Sequence, residues 1–322
     1  MTSTLGNQPV IAVNHVSKSY GSFRAVKDLT FEVRAGEVFA MLGPNGAGKS
    51  TTLRMILDIL RPDTGSISVL GGPLNRERRD RIGYLPEDRG LYRNAKVIDM
   101  MVYLASLKGM DRDAARRRAL QLLDELGLGA NANQKVSELS KGMQQKVQFA
   151  VTVQHNPDLV IIDEPFSGLD PVNTMVIKDL LMSFSQRGGA VVMSTHQMNH
   201  VEEMADRLLM INRGEQALYG AVKEVRQRFA LDAVLIDGEG DWASLPGVER
   251  VEDSDESHQG ELVYLRPGAS STQLLQELAA RPDMQVHKFE LAVPSLNEIF
   301  IRVVEHGNGR AAEIGRKELT HA

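Results

Sequence analysis

The nine residues Gly43-Pro-Asn-Gly-Ala-Gly-Lys-Ser-Thr51 constrain this chain more than any others, because they satisfy G-x-x-x-x-G-K-[ST]. The pattern carries chemistry only where it joins a strand to a helix, and both flanks qualify. Val38-Phe-Ala-Met-Leu42 is a nearly continuous apolar run, as a parallel strand buried on both faces requires. Thr51–Leu60 reads as a helix that stops before Arg61-Pro62. In such a loop Gly43, Gly46 and Gly48 let the backbone wrap around phosphate oxygens, and Asn45 and Thr51 belong to the same nucleotide-facing set. Lys49 would reach the β and γ phosphates, and the Ser50 hydroxyl would ligate Mg²⁺. A glycine-rich turn carrying a solvated lysine is the plainer alternative, and the strand–helix context disfavours it.

A second element completes the first. Val160-Ile161-Ile162 delivers Asp163 and Glu164 to the C-terminal end of a strand, where the crevice of an open sheet lies. Asp163 suits the Mg²⁺ shell, and Glu164 is placed to orient and deprotonate an attacking water. Adjacent carboxylates after a strand could instead cap the next turn. His196, after the strand 190–194, reaches the same rim; it could hold the γ-phosphate or the water, or merely cap the helix 197–205.

The strands and helices alternate, which predicts a mostly parallel α/β sheet. Period-2 runs at 9–16 and 27–34 read as strands with a turn near Tyr20-Gly21, followed by strands at 67–70 and 81–85. Two helical segments fill 96–127, separated by Gly109-Met110-Asp111 and closed at Gly127. Then come helix 141–155, strand 159–163, helix 172–186, strand 190–194, helix 197–205 and strand 208–212. Charge marks where this pattern ends: residues 231–322 carry 17 acidic and 8 basic side chains, whereas 1–230 are net +4. The boundary is expected near 218–232, with a nucleotide-binding domain at 9–222 and a small α+β domain at 231–306. Within the latter, strands at 232–236, 261–265 and 285–292 and helices at 271–281 and 295–305 are expected, with 251–260 an acidic polar stretch and 307–322 a frayed tail.

Composition removes several classes. The chain has no cysteine, so disulfides, thiol chemistry and cysteine-ligated metals are out, and a reducing compartment fits. The formal net charge of −5 excludes a globally basic nucleic-acid coat. No apolar run approaches the roughly 18 residues of a spanning helix, and MTSTLGNQPV is not a secretory signal. A soluble, intracellular chain is expected, whose membrane role would come through a partner.

The remaining motifs resemble those of ATP-binding cassette (ABC) proteins. Leu139-Ser-Lys-Gly-Met-Gln-Gln-Lys146 resembles the family's signature, Ser167-Gly-Leu-Asp170 its D-loop, His196 its switch histidine and Tyr20 its adenine-stacking aromatic. Ser140 also caps a helix well, as does Asp170 before Pro171. The resemblance implies a P-loop NTPase of ABC type: an α/β fold with a parallel-sheet core, an antiparallel β subdomain and a helical subdomain, here followed by the small C-terminal domain. It implies ATP and Mg²⁺ as cofactors, Glu164 and His196 as catalytic residues, and Ser140 and Gly142 as ligands of the γ-phosphate bound on a second copy, with Asp170 helping to organise that interface. It also makes Ser50, Asp163 and Glu87 the metal-side donors. Two positions depart from the common pattern: Lys141 and Met143 stand where glycine and glutamine are commoner, and Glu87 of Gly83-Tyr-Leu-Pro-Glu-Asp88 stands in the Q-loop glutamine position. A carboxylate there can still bind Mg²⁺ directly or through water.

The run Tyr84-Leu-Pro-Glu-Asp-Arg-Gly-Leu-Tyr92 and the late Pro294-Ser-Leu-Asn-Glu-Ile-Phe-Ile301 resemble the ABC-2-type bacterial exporters, including sodium and drug-export ATPases. That resemblance implies a second copy of the same or a homologous ATPase, and a separately encoded multi-spanning permease. It places the protein at the inner face of the cell membrane, with no nucleic acid as partner. The alternative is a soluble ABC-type ATPase acting on ribosomes or nucleic acid, against which stand the lone cassette and the exporter-like C-terminal segment.

Overall fold

The computed structural model describes residues 8–87, 90–253 and 260–306. Asp88 and Arg89, most of the acidic stretch after Asp253 and the tail from 307 lie outside the described residues. The chain separates into two compact units, one running to Ala221 and the other from Val222.

In the first unit, β1 (Ile11–Tyr20) and β2 (Phe23–Val33) form an antiparallel hairpin, and β4 (Thr64–Val69) joins the other side of β1. Both hairpin strands are longer than their period-2 runs. His15 and Asp28 adopt φ of 51° and 55° and bond each other at 2.8 Å, and the register shifts between Val13 and Val16. An irregularity of this kind breaks the apolar–polar alternation while the pairing continues beyond it.

The second sheet holds the core. Its order is β5-β6-β7-β3-β8-β9, with β5 (Ile82–Leu85), β6 (Leu159–Asp163), β7 (Ala190–Thr195), β3 (Val38–Leu42) and β8 (Arg207–Asn212) parallel, and β9 (Glu215–Ala221) antiparallel at the edge. Every residue of β3, β6 and β7 is buried, as expected of parallel strands covered on both faces. Strand β9 has no counterpart among the strands expected from the sequence. Arg213 and Gly214 take φ of 51° and 81°, a two-residue turn that folds β9 back onto β8.

Helix α1 (Lys49–Ile56) is shorter than Thr51–Leu60 predicts. Asp58 enters the left-handed region at φ 54°, and the amides of Ile59 and Leu60 bond back to the Arg54 carbonyl, so the helix closes early. The short α2 (Arg76–Asp80), capped by Asn75, buries no residue and so leaves no apolar period to read. The paired helical segments are α3 (Val97–Leu107) and α4 (Arg112–Glu125), the latter capped by Asp111. Helices α5 (Lys141–Val153), α6 (Pro171–Gln186) and α7 (Met198–Met204) alternate with β6 and β7.

The second unit begins with an unforeseen helix, α8 (Val222–Arg228). Its sheet runs β11-β12-β10-β13, all antiparallel, from β10 (Ala233–Glu239), β11 (Val248–Asp253), β12 (Glu261–Leu265) and β13 (Gln285–Leu291). Strand β11 was missed because five of its six residues are not fully buried, leaving no apolar alternation to read. Helix α9 (Ser271–Ala279) opens with a reciprocal Ser270–Gln273 cap and buries Leu274 and Leu278 in a core with Trp242, Val234 and Ile236. In α10 (Leu296–His306) Leu296, Ile299 and Val303 are buried, and Ser295 and Glu298 cap its start reciprocally.

Candidate functional site

Strand register brings the site together. Leu42 pairs with Thr195 and Asp163 with Ser194, so β3, β7 and β6 end at one rim. The loop after β3, the Asp163-Glu164 pair after β6 and His196 after β7 therefore emerge side by side, at the crevice of the open sheet.

The loop from Gly43 to Gly48 leaves no room for side chains at its ends. A Cβ on Gly43 would sit 2.2 Å from the Ile211 carbonyl oxygen, and one on Gly48 2.6 Å from that of Ala25. Gly48 also holds φ at 112°, which only glycine adopts readily. It precedes α1 without any side-chain cap, so the first helical amides are open to an anion. Lys49 is only 7% exposed; its ammonium donates to the carbonyls of Gly43 at 2.6 Å and Pro44 at 3.3 Å. Burial pushes the Lys49 pKa down, while the carboxylates of Glu164, Asp163 and Glu87 pull it back up.

Across the rim Asp163 is buried and accepts a hydrogen bond from the Ser194 hydroxyl. Glu164 sits at φ 52°, a strained conformation for a side chain with a Cβ, and one held here by its amide bonding to the Ser194 carbonyl at 2.9 Å. Both carboxylate oxygens are engaged. Thr195 Oγ1 donates to Oε2 at 3.2 Å, and His196 Nδ1 lies 2.8 Å from Oε1. The Glu164 side chain is 9% exposed against 54% for His196, so a fixed carboxylate orients a solvent-facing ring. Because the acceptor is a carboxylate, Nδ1 carries the proton and Nε2 faces outward, an acceptor in the neutral ring and a donor in the imidazolium.

These groups border one cleft of about 270 Å³. Tyr20, Asn45, Gly46, Gly48, Lys49, Ser50, Thr51, Glu87, Asp163, Glu164 and His196 all line it, and Gly43 heads its loop. Sequence reasoning missed Phe23 and Ala25, which also line it. Phe23 pairs with Tyr20 across the hairpin turn, so hairpin register was the signal that could have found it. The donors of Ser50, Asp163 and Glu87 are all oxygens, the chemistry a hard cation such as Mg²⁺ demands. Among the described residues no three His, Asp or Glu side chains close on a point.

Ser140, Gly142 and Asp170 do not line this cleft. They form a second cluster at the N-termini of α5 and α6. Ser140 caps α5, its Oγ accepting from the Met143 amide at 3.3 Å. Asp170 caps α6, accepting from the Asn173 amide at 2.9 Å and from its side chain at 2.5 Å, bonds that hold the Asp170 carboxyl below its usual pKa. A Cβ on Gly142 would meet Asn173 Nδ2 at 2.7 Å. Asn173, which the sequence did not flag, thus joins the two helix starts.

Residues 26–167 match the family described as ABC transporter, and residues 220–304 match one described as the C-terminal domain of DrrA1-3-like ATP-binding proteins. An uncharacterized ABC transporter ATP-binding protein of Bacillus subtilis, YhaQ, is 40% identical over 295 residues, covering 92% of this chain and 98% of the relative. The Nod factor export ATP-binding protein I of Burkholderia orbicola is 37% identical over 214 residues, 66% of this chain and 70% of that protein. A solved ATP-binding subunit of an ABC transporter superposes with a TM-score of 0.63 at 32% identity, covering 68% of this chain and 93% of its own. With a near full-length relative at that identity and the phosphate loop and its facing carboxylates in one cleft, the chain belongs to the ATP-binding proteins of ABC transporters.

Proposed function

We propose that this chain binds ATP with Mg²⁺, hydrolyses it, and uses the cycle to drive a separate multi-spanning permease in an export system. The observation that carries hydrolysis is the Glu164 carboxylate, held at both oxygens by Thr195 and His196 on the rim that also bears Lys49. In this reading Lys49 and the loop amides bind the β and γ phosphates, and Tyr20 stacks on the adenine. Ser50 and Asp163, with Glu87 at hand, would hold Mg²⁺, which would supply positive charge against the negative charge that develops on the phosphates. Glu164 orients a water for in-line attack on the γ-phosphorus; the bond to ADP breaks as the water's proton passes to the carboxylate. His196 steadies the γ-phosphate or the water through Nε2.

The Ser140–Gly142 cluster makes the chain half of a pair. A helix start beside a close-approach glycine suits an anion, and of the first amides of α5 the Ser140 cap takes that of Met143. Lying outside the chain's own cleft, the start of α5 is assigned to the γ-phosphate held by a second copy. Two such surfaces facing each other close a symmetric dimer over two ATP molecules. Residues 9–222 form the nucleotide-binding domain and 231–306 an accessory domain. Export is supported by the DrrA1-3-like match of residues 220–304 and by the name of the Burkholderia orbicola relative. Among the described residues no helix is long and apolar enough to cross a membrane, so contact with the bilayer runs through the permease at its inner face.

Purification from native membranes, with ATPase assay and mass spectrometry, tests the reading. ATP hydrolysis and a multi-spanning protein at near-equal amount support it. An ATPase recovered with ribosomal or chromosomal material would overturn the transport part, and a preparation that binds no ATP would overturn all of it.

A further inference from the structure

Beneath the carboxylates lies a smaller chamber of about 40 Å³, lined by Glu87, Asp163, Glu164 and Ser167 and by two glutamines of α5, Gln145 and Gln148. The glutamines are 7% and 5% exposed. Gln145 Nε2 donates to the Pro165 carbonyl at 2.7 Å, one residue beyond the strained Glu164 backbone. Its Oε1 is buried and has no hydrogen-bond partner. Gln148 accepts from Thr152 Oγ1 through its backbone carbonyl at 2.9 Å, and its side chain stands at the chamber wall.

A buried amide oxygen without a partner costs about 1–3 kcal/mol unless water serves it. The chamber is polar, and it exceeds the roughly 10–15 Å³ that one water needs. Only a donor can satisfy Gln145 Oε1, and the carboxylates cannot donate when ionised. A water there gives one proton to Oε1 and the other to a carboxylate, and accepts from an amide or hydroxyl. Neutral amides at the wall can hold such a water without cancelling the carboxylate charge that Lys49 faces.

We propose that Gln145 and Gln148 are positioning residues for hydrolysis: through water held in this chamber they align Glu87, Asp163 and Glu164, and Gln145 also bolts α5 to the backbone beside Glu164. The proposal rests on the ATPase reading for its consequence but not for its structure. Gln145 thereby joins the helix that begins at Ser140 to the backbone one residue beyond Glu164.

Two measurements test it. A crystal structure of the wild-type protein at high resolution should show ordered water within hydrogen-bond reach of Gln145 Oε1 and the Gln148 amide; a dry chamber overturns the proposal whether or not the protein hydrolyses ATP. In solution, Gln148→Met keeps the length of the side chain and removes its polar atoms. Its kcat should fall by about 10- to 100-fold with KM and ATP affinity within about twofold and the thermal midpoint unmoved, as expected for lost alignment. Gln148→Asn, which keeps the amide, should recover part of that loss. A Gln148→Met enzyme with wild-type kcat, or one whose defect lies wholly in KM or in folding, overturns the positioning role. Absence of hydrolysis in the wild type would instead count against the ATPase reading, and the crystal structure alone would then decide about the chamber.

Discussion

The phosphate-loop edge and the α5–α6 edge of the first unit are built from similar parts, yet they differ in what they already contain. Both present helix starts to solvent, and both use a glycine where a Cβ would collide. At the first edge, though, opposite charges are brought together, with Lys49 and Asp163 buried. Lys49 faces Asp163, Glu164 and Glu87, with its ammonium on backbone carbonyls and its pKa lowered by burial. At the second edge Ser140 and Asp170 do no more than cap their own helices, and both remain exposed or nearly so. Preorganised charge marks the edge where bonds change. On the proposed reading, the lightly built second edge waits for a phosphate held by another copy.

Substitutions can break that contrast in order of size. Glu164→Gln removes the base and keeps the shape, so kcat should drop by roughly 10³-fold with ATP binding retained; steady-state hydrolysis beside equilibrium binding measures both. Fast turnover in this variant would strip Glu164 of its role. Lys49→Ala should weaken ATP affinity by about 100-fold, the loss of a charge-assisted contact. Gly142→Asp should leave that affinity intact in the isolated chain and abolish hydrolysis, because it puts a like charge where a second copy's γ-phosphate docks. If Gly142→Asp weakened binding as Lys49→Ala does, the two edges would be one site.

A fourth test concerns His155, just beyond the C-terminal end of α5. Burial, helped by the Lys108 charge, pushes the His155 pKa down to about 4, against a hydrogen bond to the Ile82 carbonyl and the Asp80 charge that act upward. The folded chain thus prefers neutral His155 while the unfolded chain takes up the proton. Its contribution is complete above about pH 6.5 and is lost progressively as pH falls towards 4, at most about 3 kcal/mol in all. Urea unfolding at both ends of this range should show the loss, and His155→Gln should flatten that part of the pH dependence. The smallest effect is expected at Asp170→Ala, which removes the α6 cap and lowers stability slightly. Its midpoint shift should appear in the same urea curves without change in ATP affinity.

Much of the first edge was legible because its chemistry is local. The phosphate loop, Asp163-Glu164 and His196 each follow a buried strand, and a strand that is apolar throughout announces itself. The hairpin was half legible: Val16 ended the alternation because the chain bulges at His15 and Asp28, not because the pairing stops. Strand β9 was hidden by its turn, since Arg213 at positive φ gives no glycine or asparagine signal at that position. In the second unit β12 and helix α9 were readable, whereas β11 exposes most of its residues and looks like a polar loop. Asn173 and the α5 glutamines were invisible for another reason. Their roles depend on contacts between segments distant in the chain, as in Gln145 to Pro165, and no local pattern encodes these.

The account turns on two incomplete edges that complete each other across two chains. Light scattering of the Glu164→Gln protein, with and without ATP and Mg²⁺, tests this most directly. A monomer without nucleotide, a dimer holding two ATP molecules with it, and a monomer under both conditions once Gly142→Asp is added are the predicted results. A Glu164→Gln chain that binds ATP yet stays monomeric, or a dimer indifferent to Gly142→Asp, would contradict the account.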